Sequence, residues 1–315
     1  MTAPVALADA VTADGAPVRG TSPGGPAPSG RPAAGPQLRV VSAALSILAA
    51  LLLGFVVDVG LVGDLRHARD RQVDYAGFRS DLANGVAPVG RSAGGGVAPE
   101  PGAPVALLEI PVLQLREVVR EGTTAQDLAR GAGHRRDTTL PGQAGVSVIM
   151  GRQASYGGPF RRLGDLTAGD RFTVTTGQGK HTYKVIGPRR EGDPQPPVLT
   201  GGRGRLTLIT ADGTPFMPRG ILRVDADLVS DAQSTPPTAV PPGALPEDER
   251  PMAMQQTAWL PLVLWGQGLV LAAAAIAWAH ARWGRPHTWV VGVPLLGALG
   301  LAVADQAALL LPNLL

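Results

Sequence analysis

The side chains able to perform covalent chemistry are few, because none of the 315 residues is cysteine. That absence excludes thiolate nucleophiles, disulfides and cysteine-ligated metals. Two hydroxyls are candidate nucleophiles: Ser155, in the loop after Arg152, and Thr210, which precedes Ala211 where an alternating apolar strand ends. A serine or threonine needs a neighbouring base to become nucleophilic. Thr210 is the weaker candidate, since its hydroxyl should point to the opposite face of the strand from Ala211.

Two histidines are candidate bases for these hydroxyls. His134 lies in the stretch GAGHRR, and His181 opens a strand after a turn. The spacing supplies neither of them with a nucleophile or with an acid that would orient the ring. We therefore interpret His134 as a structural or rim residue and His181 as an exposed residue at a strand edge.

Neither a metal site nor a nucleic-acid site is indicated by the pattern of charged residues. The five histidines lack zinc-ligand spacing, and the acidic residues lack the spacing of a calcium loop. The formal net charge is +3, and the arginines are spread along the chain rather than gathered into a basic stripe with interleaved aromatics. We expect no metal, no other cofactor and no nucleic-acid partner.

Three apolar segments are long enough to cross about 30 Å of hydrocarbon as helices. They are 38–63, 258–281 and 288–313. For the first, a cleavable signal peptide is the competing interpretation, but the long preceding tail and the lack of a clear cleavage site favour an uncleaved anchor. Asp305 lies toward the outer end of the third segment, and we interpret it as a helix-packing residue rather than part of a transport path.

The positively charged residues predict the orientation of these spans. Arg282 and Arg285 lie in the short loop between the last two spans, and Arg31 and Arg39 precede the first. Positively charged loops stay in the cytosol. We therefore expect a multi-pass protein of the cell membrane with a disordered cytoplasmic tail over 1–37, and an external part between the first two spans.

The external part is predicted to hold one folded core between two spacers. Residues 64–103 form a juxtamembrane segment and linker, and 230–257 form a Pro-rich linker. The intervening 104–229 are numerous enough for one core. Their short alternating or apolar runs predict many short strands, and TTAQDLARG predicts a short helix capped by Thr123 or Thr124. The expected fold is mainly β, a barrel or a sandwich with short helices.

The order and spelling of several motifs resemble one known family. The stretches LLEIPVL, REVVREGTT, LARGAGHRRDTTLPGQAGVSVIMG, YGGPFRRLGDLTAGDRFTVTT, TYKVIG and RLTLIT occur in this order. Together they resemble a sortase domain, closest to the actinobacterial class E type, over 104–229. The resemblance implies an eight-stranded β-barrel anchored to a membrane. It also implies a transpeptidase in which a cysteine attacks the Thr-Gly bond of an LPxTG-like sorting signal.

The resemblance places the catalytic positions of the family on residues that cannot do that chemistry. The family histidine falls on Arg152, the cysteine on Ala211 in LITA, and the arginine, in an ungapped match, on Ile221. A methyl group cannot form an acyl intermediate, and a guanidinium does not release its proton near neutral pH. Arg219 and Arg223, two residues to either side of Ile221, are alternatives for the third position. The chain is therefore expected to be a degenerate member.

The leading hypothesis is a membrane-anchored, catalytically inactive sortase-like protein that acts as an extracytoplasmic binding or scaffold module at the cell envelope. Its partner would be an envelope protein or a sorting-signal-like peptide, and the arginines of the degenerate site favour an anionic ligand. One alternative is a transpeptidase or hydrolase that uses Ser155 or Thr210. Another is a subunit of a membrane complex held through the last two helices. The candidate site residues are Arg152, Ser155, Tyr156, Ala211, Arg219 and Arg223.

Overall fold

The computed structural model describes residues 49, 52–89, 99–236, 240–241, 243–283 and 285–315. The tail predicted over 1–37 and half of the first predicted span, 38–63, lie outside these ranges. The external core, both later spans and every candidate site residue lie within them.

Eight strands close into a barrel. In the order β1-β2-β3-β4-β7-β8-β6-β5 each strand pairs with its neighbour, and β5 pairs back onto β1. All of these pairs are antiparallel except β2 with β3 and β4 with β7. The predicted mainly-β fold with an eight-stranded barrel is confirmed. The strands are β1 Pro104–Ile110, β2 Leu115–Glu121, β3 Ala132–His134, β4 Gly145–Met150, β5 Arg171–Thr176, β6 Gly179–Arg189, β7 Gly204–Thr214 and β8 Met217–Leu228.

The alternation of side chains along β7 separates two apolar clusters. Leu206 and Leu208 point into the main core of the barrel. Ile209 and Ala211 belong to a second cluster, which lies against the opposite face of the strand. Because side chains alternate between the faces of a strand, β7 presents Ala211 outside the main core, in the second cluster. The prediction that the strand ends at Ala211 is wrong, since its pairing with β8 continues to Thr214.

Among the described residues, four named α-helices accompany the barrel. They are α1 Gly63–Ala83, α2 Ala125–Leu128, α3 Trp259–Trp283 and α4 Arg285–Leu309. The short helix α2 is the one predicted in TTAQDLARG, and its cap is Thr124, whose Oγ1 accepts from the Asp127 amide at 3.1 Å. Thr123 instead donates to the carbonyl of Glu249 at 2.7 Å. The segment predicted as a Pro-rich linker therefore touches the barrel at Glu249.

Helix α1 lies on the outside of β1 and β2. It continues a helical stretch over 52–57 through a π-helical turn at Asp58–Val62. Phe78 of α1 is fully buried and packs with Leu107 and Val118. An ion pair joins Asp74 to Arg120 of β2. The segment predicted as a juxtamembrane region and linker thus contains a helix attached to the barrel.

Two helical segments of the described chain are long and apolar enough to cross a membrane. They are Gln256–Ile276 and Val290–Leu309, which correspond to the second and third predicted spans. Half of the first predicted span, 38–63, falls outside the described ranges, and the count of three spans is not confirmed. The third span was predicted to extend to 313, but α4 ends at Leu309, and the chain turns before Pro312, which could not donate to a continuing helix.

Asp305 pairs with an arginine of α1. Its Oδ1 accepts from Arg66 Nη1 at 2.6 Å, and Arg66 Nη2 lies 3.6 Å from Oδ1 of the buried Asp58. The three side chains connect α4 to the helix that precedes the barrel. This contact supports the interpretation of Asp305 as a helix-packing residue.

Replacing Phe78 by Ala should detach α1 from the barrel. The substitution removes a fully buried aromatic ring, a change that lowers the free energy of unfolding by about 3–5 kcal/mol in well-packed cores. Val73→Ala is the matched control, because Val73 lies on the same helix and is 62% exposed. Denaturant unfolding of the detergent-solubilised full chain measures both. Equal effects of the two substitutions would contradict the packing of α1 described above.

Candidate functional site

The ends of β4 and β7 form one wall of a cleft on the outside of the barrel. These strands run parallel with Met150 opposite Ile209, and the amide of Gly151 donates to the Ile209 carbonyl at 3.0 Å. A side chain at Gly151 would meet the ring of Phe160, since an added Cβ would lie 2.7 Å from it. The chain can therefore pass close over Phe160 at this glycine, and Arg152 follows directly at the cleft.

The segment that follows α4 fills this cleft. Leu314 is fully buried and packs in one cluster with Ala211, whose neighbours there are Leu128, Val148, Met150 and Ile209. The Leu314 carbonyl accepts from the Gln153 amide at 2.9 Å. The amide of Leu315 donates to the Pro312 carbonyl at 3.1 Å, so the segment enters the cleft as a tight turn.

Asn313 anchors this turn to two other parts of the chain. Its side-chain Nδ2 donates to the carbonyls of Thr123 and Arg250, both at 2.9 Å. Its backbone amide donates to the Ala253 carbonyl at 2.9 Å. The side chain of Asn313 is fully buried, and both protons of its amide group are used. The turn is therefore held by specific polar contacts as well as by the apolar contacts of Leu314.

Arg152 lies at the base of the cleft and is completely buried. Its Nη1 donates to Ser155 Oγ at 3.0 Å and to the Leu315 carbonyl at 3.3 Å, and its Nη2 donates to the Ala125 carbonyl at 2.8 Å. The guanidinium lies 4.9 Å from the centre of the Tyr156 ring. Within the described part of the chain, no Asp or Glu side chain forms an ion pair with Arg152. Burial lowers the pKa of Arg152 to about 10, although the interaction with Tyr156 acts to raise it.

Ser155 and Tyr156 join the cleft to the helices. The Ser155 hydroxyl accepts from Arg152 and donates to the Leu315 carbonyl. Tyr156 has a positive φ of 51°, and its ring packs with Val59 and with Ala308 of α4. The hydroxyl proton of Ser155 is thus directed to a carbonyl, and its second partner is a cation, so within the described chain it has no hydrogen bond to a base.

The structure brings an aliphatic side chain, not an arginine, opposite Ala211. Ile221 pairs directly with Ala211 across β7 and β8 and packs against the second cluster. Arg223 lies opposite Ile209 on one side and Arg189 on the other, and burial and the Arg189 charge lower its pKa. Arg219 is exposed and lies beyond a β-bulge. Neither alternative arginine takes the position that pairs with Ala211.

The remaining candidate residues have structural surroundings. His134 is buried, with Nδ1 2.8 Å from a Glu121 carboxylate oxygen and Nε2 2.9 Å from the Thr139 carbonyl. An acid therefore orients the ring, contrary to the expectation from sequence spacing. The prediction that His181 is exposed is wrong, since only 3% of it is accessible. The loop over its strand carries Gly142, where an added Cβ would lie 2.3 Å from the imidazole, so the missing side chain lets the loop cover the ring.

Thr210 and His67 are two further buried polar side chains. Thr210 is buried on the same side of β7 as Leu206 and Leu208, and within the described chain its hydroxyl has no partner. His67 of α1, which the sequence analysis missed, lies 3.5 Å from the carboxylate of Glu117. The sequence around His67 has no pattern of apolar residues that would indicate this contact. In the described ranges no group of acidic or histidine side chains is arranged to hold a metal ion.

The barrel sequence matches a known domain. Residues 108–220 match the family model described as the sortase domain. The barrel is a sortase-like domain. A curated relative, Sortase D of Bacillus subtilis (strain 168), is 30% identical over 118 residues, which are 38% of this chain and 58% of that protein. The chain therefore covers 58% of the length of this sortase relative.

Solved sortase structures are also similar to the chain. Sortase C-1 from Actinomyces oris is 28% identical with a TM-score of 0.36, and the match covers 40% of this chain and 75% of that one. Sortase E1 from Streptomyces coelicolor, solved with a tripeptide in its active site, is 27% identical with a TM-score of 0.37, and the match covers 43% of this chain and 93% of that one.

The free energy of unfolding should fall as the pH rises above neutral because of His134. Burial opposes protonation of this ring, but the charge and hydrogen bond of Glu121 and the Thr139 carbonyl raise its pKa above the ordinary value. A raised pKa stabilises the fold below about pH 6.5, and the stabilisation is lost as the pH rises through the folded-state pKa. Glu121→Gln should flatten this dependence in denaturant titrations, whereas Glu247→Gln, at an exposed acid, should leave it unchanged. Identical slopes in both variants would exclude this pair as the source.

Leu314→Ala should open the cleft. The substitution removes most of a fully buried side chain, a change that lowers the free energy of unfolding by about 2–5 kcal/mol where the turn stays docked. Where the turn undocks, the Gln153 amide loses its acceptor and exchanges its hydrogen faster. Hydrogen exchange at Gln153 and denaturant unfolding together detect either result. Val198→Ala, at a residue 94% exposed, is the control, and an equal lack of effect in both variants would contradict the filled cleft.

Proposed function

We propose that this chain is a membrane-anchored, catalytically inactive sortase-like protein that acts as a scaffold or binding module at the cell envelope. The observation that carries the proposal is the pairing of Ala211 with Ile221 at the cleft. Neither side chain has a nucleophilic, basic or charged atom. The motifs of the sequence further support the class E-like, actinobacterial form of this domain.

The chemistry of the cleft supports inactivity. Acyl transfer through a covalent intermediate requires a nucleophile and a base that accepts its proton. Arg152 occupies the position of the family histidine, and with a pKa of about 10 it stays protonated at neutral pH. A protonated guanidinium has no lone pair with which to accept a proton. Arg152, Ala211 and Ile221, at the three expected family positions, therefore provide neither a nucleophile nor a base.

The filled cleft favours a scaffold over a peptide-capturing module. A peptide that entered beside Ala211 would have to displace Leu314, which is fully buried there. It would also have to replace the oxygen that Leu315 provides to Arg152 and Ser155. A sorting-signal-like peptide is therefore a weaker candidate partner than an envelope protein that binds the outside of the barrel.

The helices support anchorage in the membrane with the barrel outside. The apolar windows of α3 and α4 are almost entirely unburied within the chain, as expected for surfaces that contact lipid. The helical stretch from 52 leads from the first predicted span into α1 on the barrel. We therefore retain three spans, a cytoplasmic N-terminal tail and an extracytoplasmic barrel as the proposed topology. The exposed faces of α3 and α4 also favour a second candidate function, a subunit of a membrane complex.

The purified full chain should not cleave sorting-signal-like peptides. A fluorogenic peptide with an LPxTG-like sequence is incubated with the detergent-solubilised chain, and a sortase with an intact catalytic cysteine provides the positive control. Release should equal the rate in buffer because no nucleophile with a base lies at the cleft. Turnover that disappears in Ser155→Ala, while Thr235→Ala retains it, would overturn the proposal in favour of a relocated serine nucleophile.

The second candidate function has a separate test. Deletion of α3 and α4 with their connecting residues removes the helix pair but leaves the barrel and the first predicted span. Loss of a partner that the intact chain retains in mild detergent would favour recruitment through the helices. Retention of that partner would favour the barrel as the binding module.

A further inference from the structure

The hairpin between β7 and β8 ends in an exposed apolar tip. Its residues are Pro215, Phe216 and Met217, and Phe216 and Met217 are 53% and 72% exposed. Phe216 has a φ of 61°, a left-handed conformation that non-glycine residues rarely adopt. Exposure of an aromatic ring and a thioether chain to water is unfavourable. The tip therefore has the composition expected of a surface that contacts an apolar partner.

Helix α1 defines which end of the barrel faces the membrane. At its start, Asp64 accepts from the Gly157 amide at 2.7 Å, beside the loop that packs on α4. Beyond its end, the carbonyl of Val89 accepts from Gln143 Nε2 at 3.3 Å. Since α1 starts next to the proposed membrane helices and leads away from them, Gly157 lies at the near end of the barrel and Gln143 at the far end.

Strand β7 runs from the far end of the barrel to the near end. It begins at Gly204, where an added Cβ would lie 2.7 Å from the Gln143 carbonyl. It ends beyond Ala211, which packs on Leu314. A strand of this length spans about 3.3 Å per residue, so its two ends are well separated. The β7–β8 hairpin therefore projects from the end of the barrel where α4 ends.

One residue, Gln153, connects the hairpin directly to the segment after α4. Gln153 donates from its backbone amide to the Leu314 carbonyl at 2.9 Å and from Nε2 to the Gly213 carbonyl at 2.8 Å. Gly213 lies two residues before the tip, and Leu314 lies five residues after the end of α4 at Leu309. The tip is thus held near the level at which the second apolar span ends.

We propose that the tip Pro215–Met217 inserts into the interfacial layer of the lipid bilayer. The inference rests on the membrane anchorage proposed above. Insertion is shallow, because the backbone of a turn has unpaired polar groups that cannot enter the hydrocarbon centre. Arg219, two residues after the tip, is exposed, and a cation at this position is attracted to anionic lipid headgroups. The partner of this surface is therefore a lipid bilayer that contains anionic lipid.

Spin labels test the depth of the tip, since a chain without cysteine accepts single labelled cysteines without background. Full-length Met217→Cys is reconstituted in vesicles of zwitterionic and anionic lipid. Two matched variants accompany it: Leu271→Cys on α3, 70% exposed, and Val198→Cys, 94% exposed. Val198 follows Pro197, whose carbonyl binds Arg205 at the far end of β7. The accessibility of each label to oxygen and to a water-soluble nickel chelate is measured by electron paramagnetic resonance.

The ratio of oxygen to nickel accessibility should be highest at Leu271, several-fold lower at Met217 and lowest at Val198. Phe216→Cys should give the same ranking as Met217→Cys, which guards against a local disturbance at either position. If the accessibility ratio at Met217 equals that at Val198 while the ratio at Leu271 indicates lipid, the proposed lipid contact is wrong. The tip would then be a candidate contact surface for a protein partner. A nickel-accessible label at Leu271 would instead contradict membrane anchorage itself.

Discussion

The buried guanidinium of Arg152 is the contact on which the arrangement of the cleft depends. A charged group removed from water must be surrounded by polar partners, or its burial is strongly unfavourable. Arg152 obtains its partners from α2 through Ala125, from its own loop through Ser155 and from the segment after α4 through Leu315. These three parts of the chain are distant in sequence, so one cation fixes their relative positions.

The same cation explains why the cleft is closed by the chain itself. An open cleft would leave Arg152 without the Leu315 carbonyl and would expose the apolar wall around Ala211 to water. With Leu314 in place, that wall is covered, and the Gln153 amide next to it has an acceptor in the Leu314 carbonyl. The burial of a permanent cation at Arg152 and the filling of the cleft are therefore two parts of one packing arrangement.

The barrel could be predicted from sequence because its strands depend on local patterns. Alternating apolar runs mark strands such as β7, although β7 continues to Thr214 instead of ending at Ala211. The motifs gave Ala211 and Ile221 as expected family positions, and the structure pairs these two residues across β7 and β8. The side chains of a strand alternate with a fixed repeat of two residues. This repeat can be recognised in the sequence without knowing which strands are neighbours.

The contacts made by irregular segments could not be predicted in this way. His181 was expected to be exposed, and its cover depends on Gly142 in a loop far away in sequence. Leu314 was interpreted as following a membrane span, although it belongs to the apolar cluster of the cleft. The helix α1 fell in a segment interpreted as linker because its contacts with the barrel include ion pairs. No residue periodicity encodes a partner that is supplied by another segment.

The position of Leu314 in the chain determines when the cleft can close. Synthesis proceeds from the amino end, and domains fold as their residues become available. All eight strands, up to Leu228, are made before α3 and α4, whereas the turn that covers Ala211 is made after both helices. Each newly made molecule therefore passes through an interval in which its barrel is complete and its cleft is vacant, and that interval ends when the helix hairpin is in place.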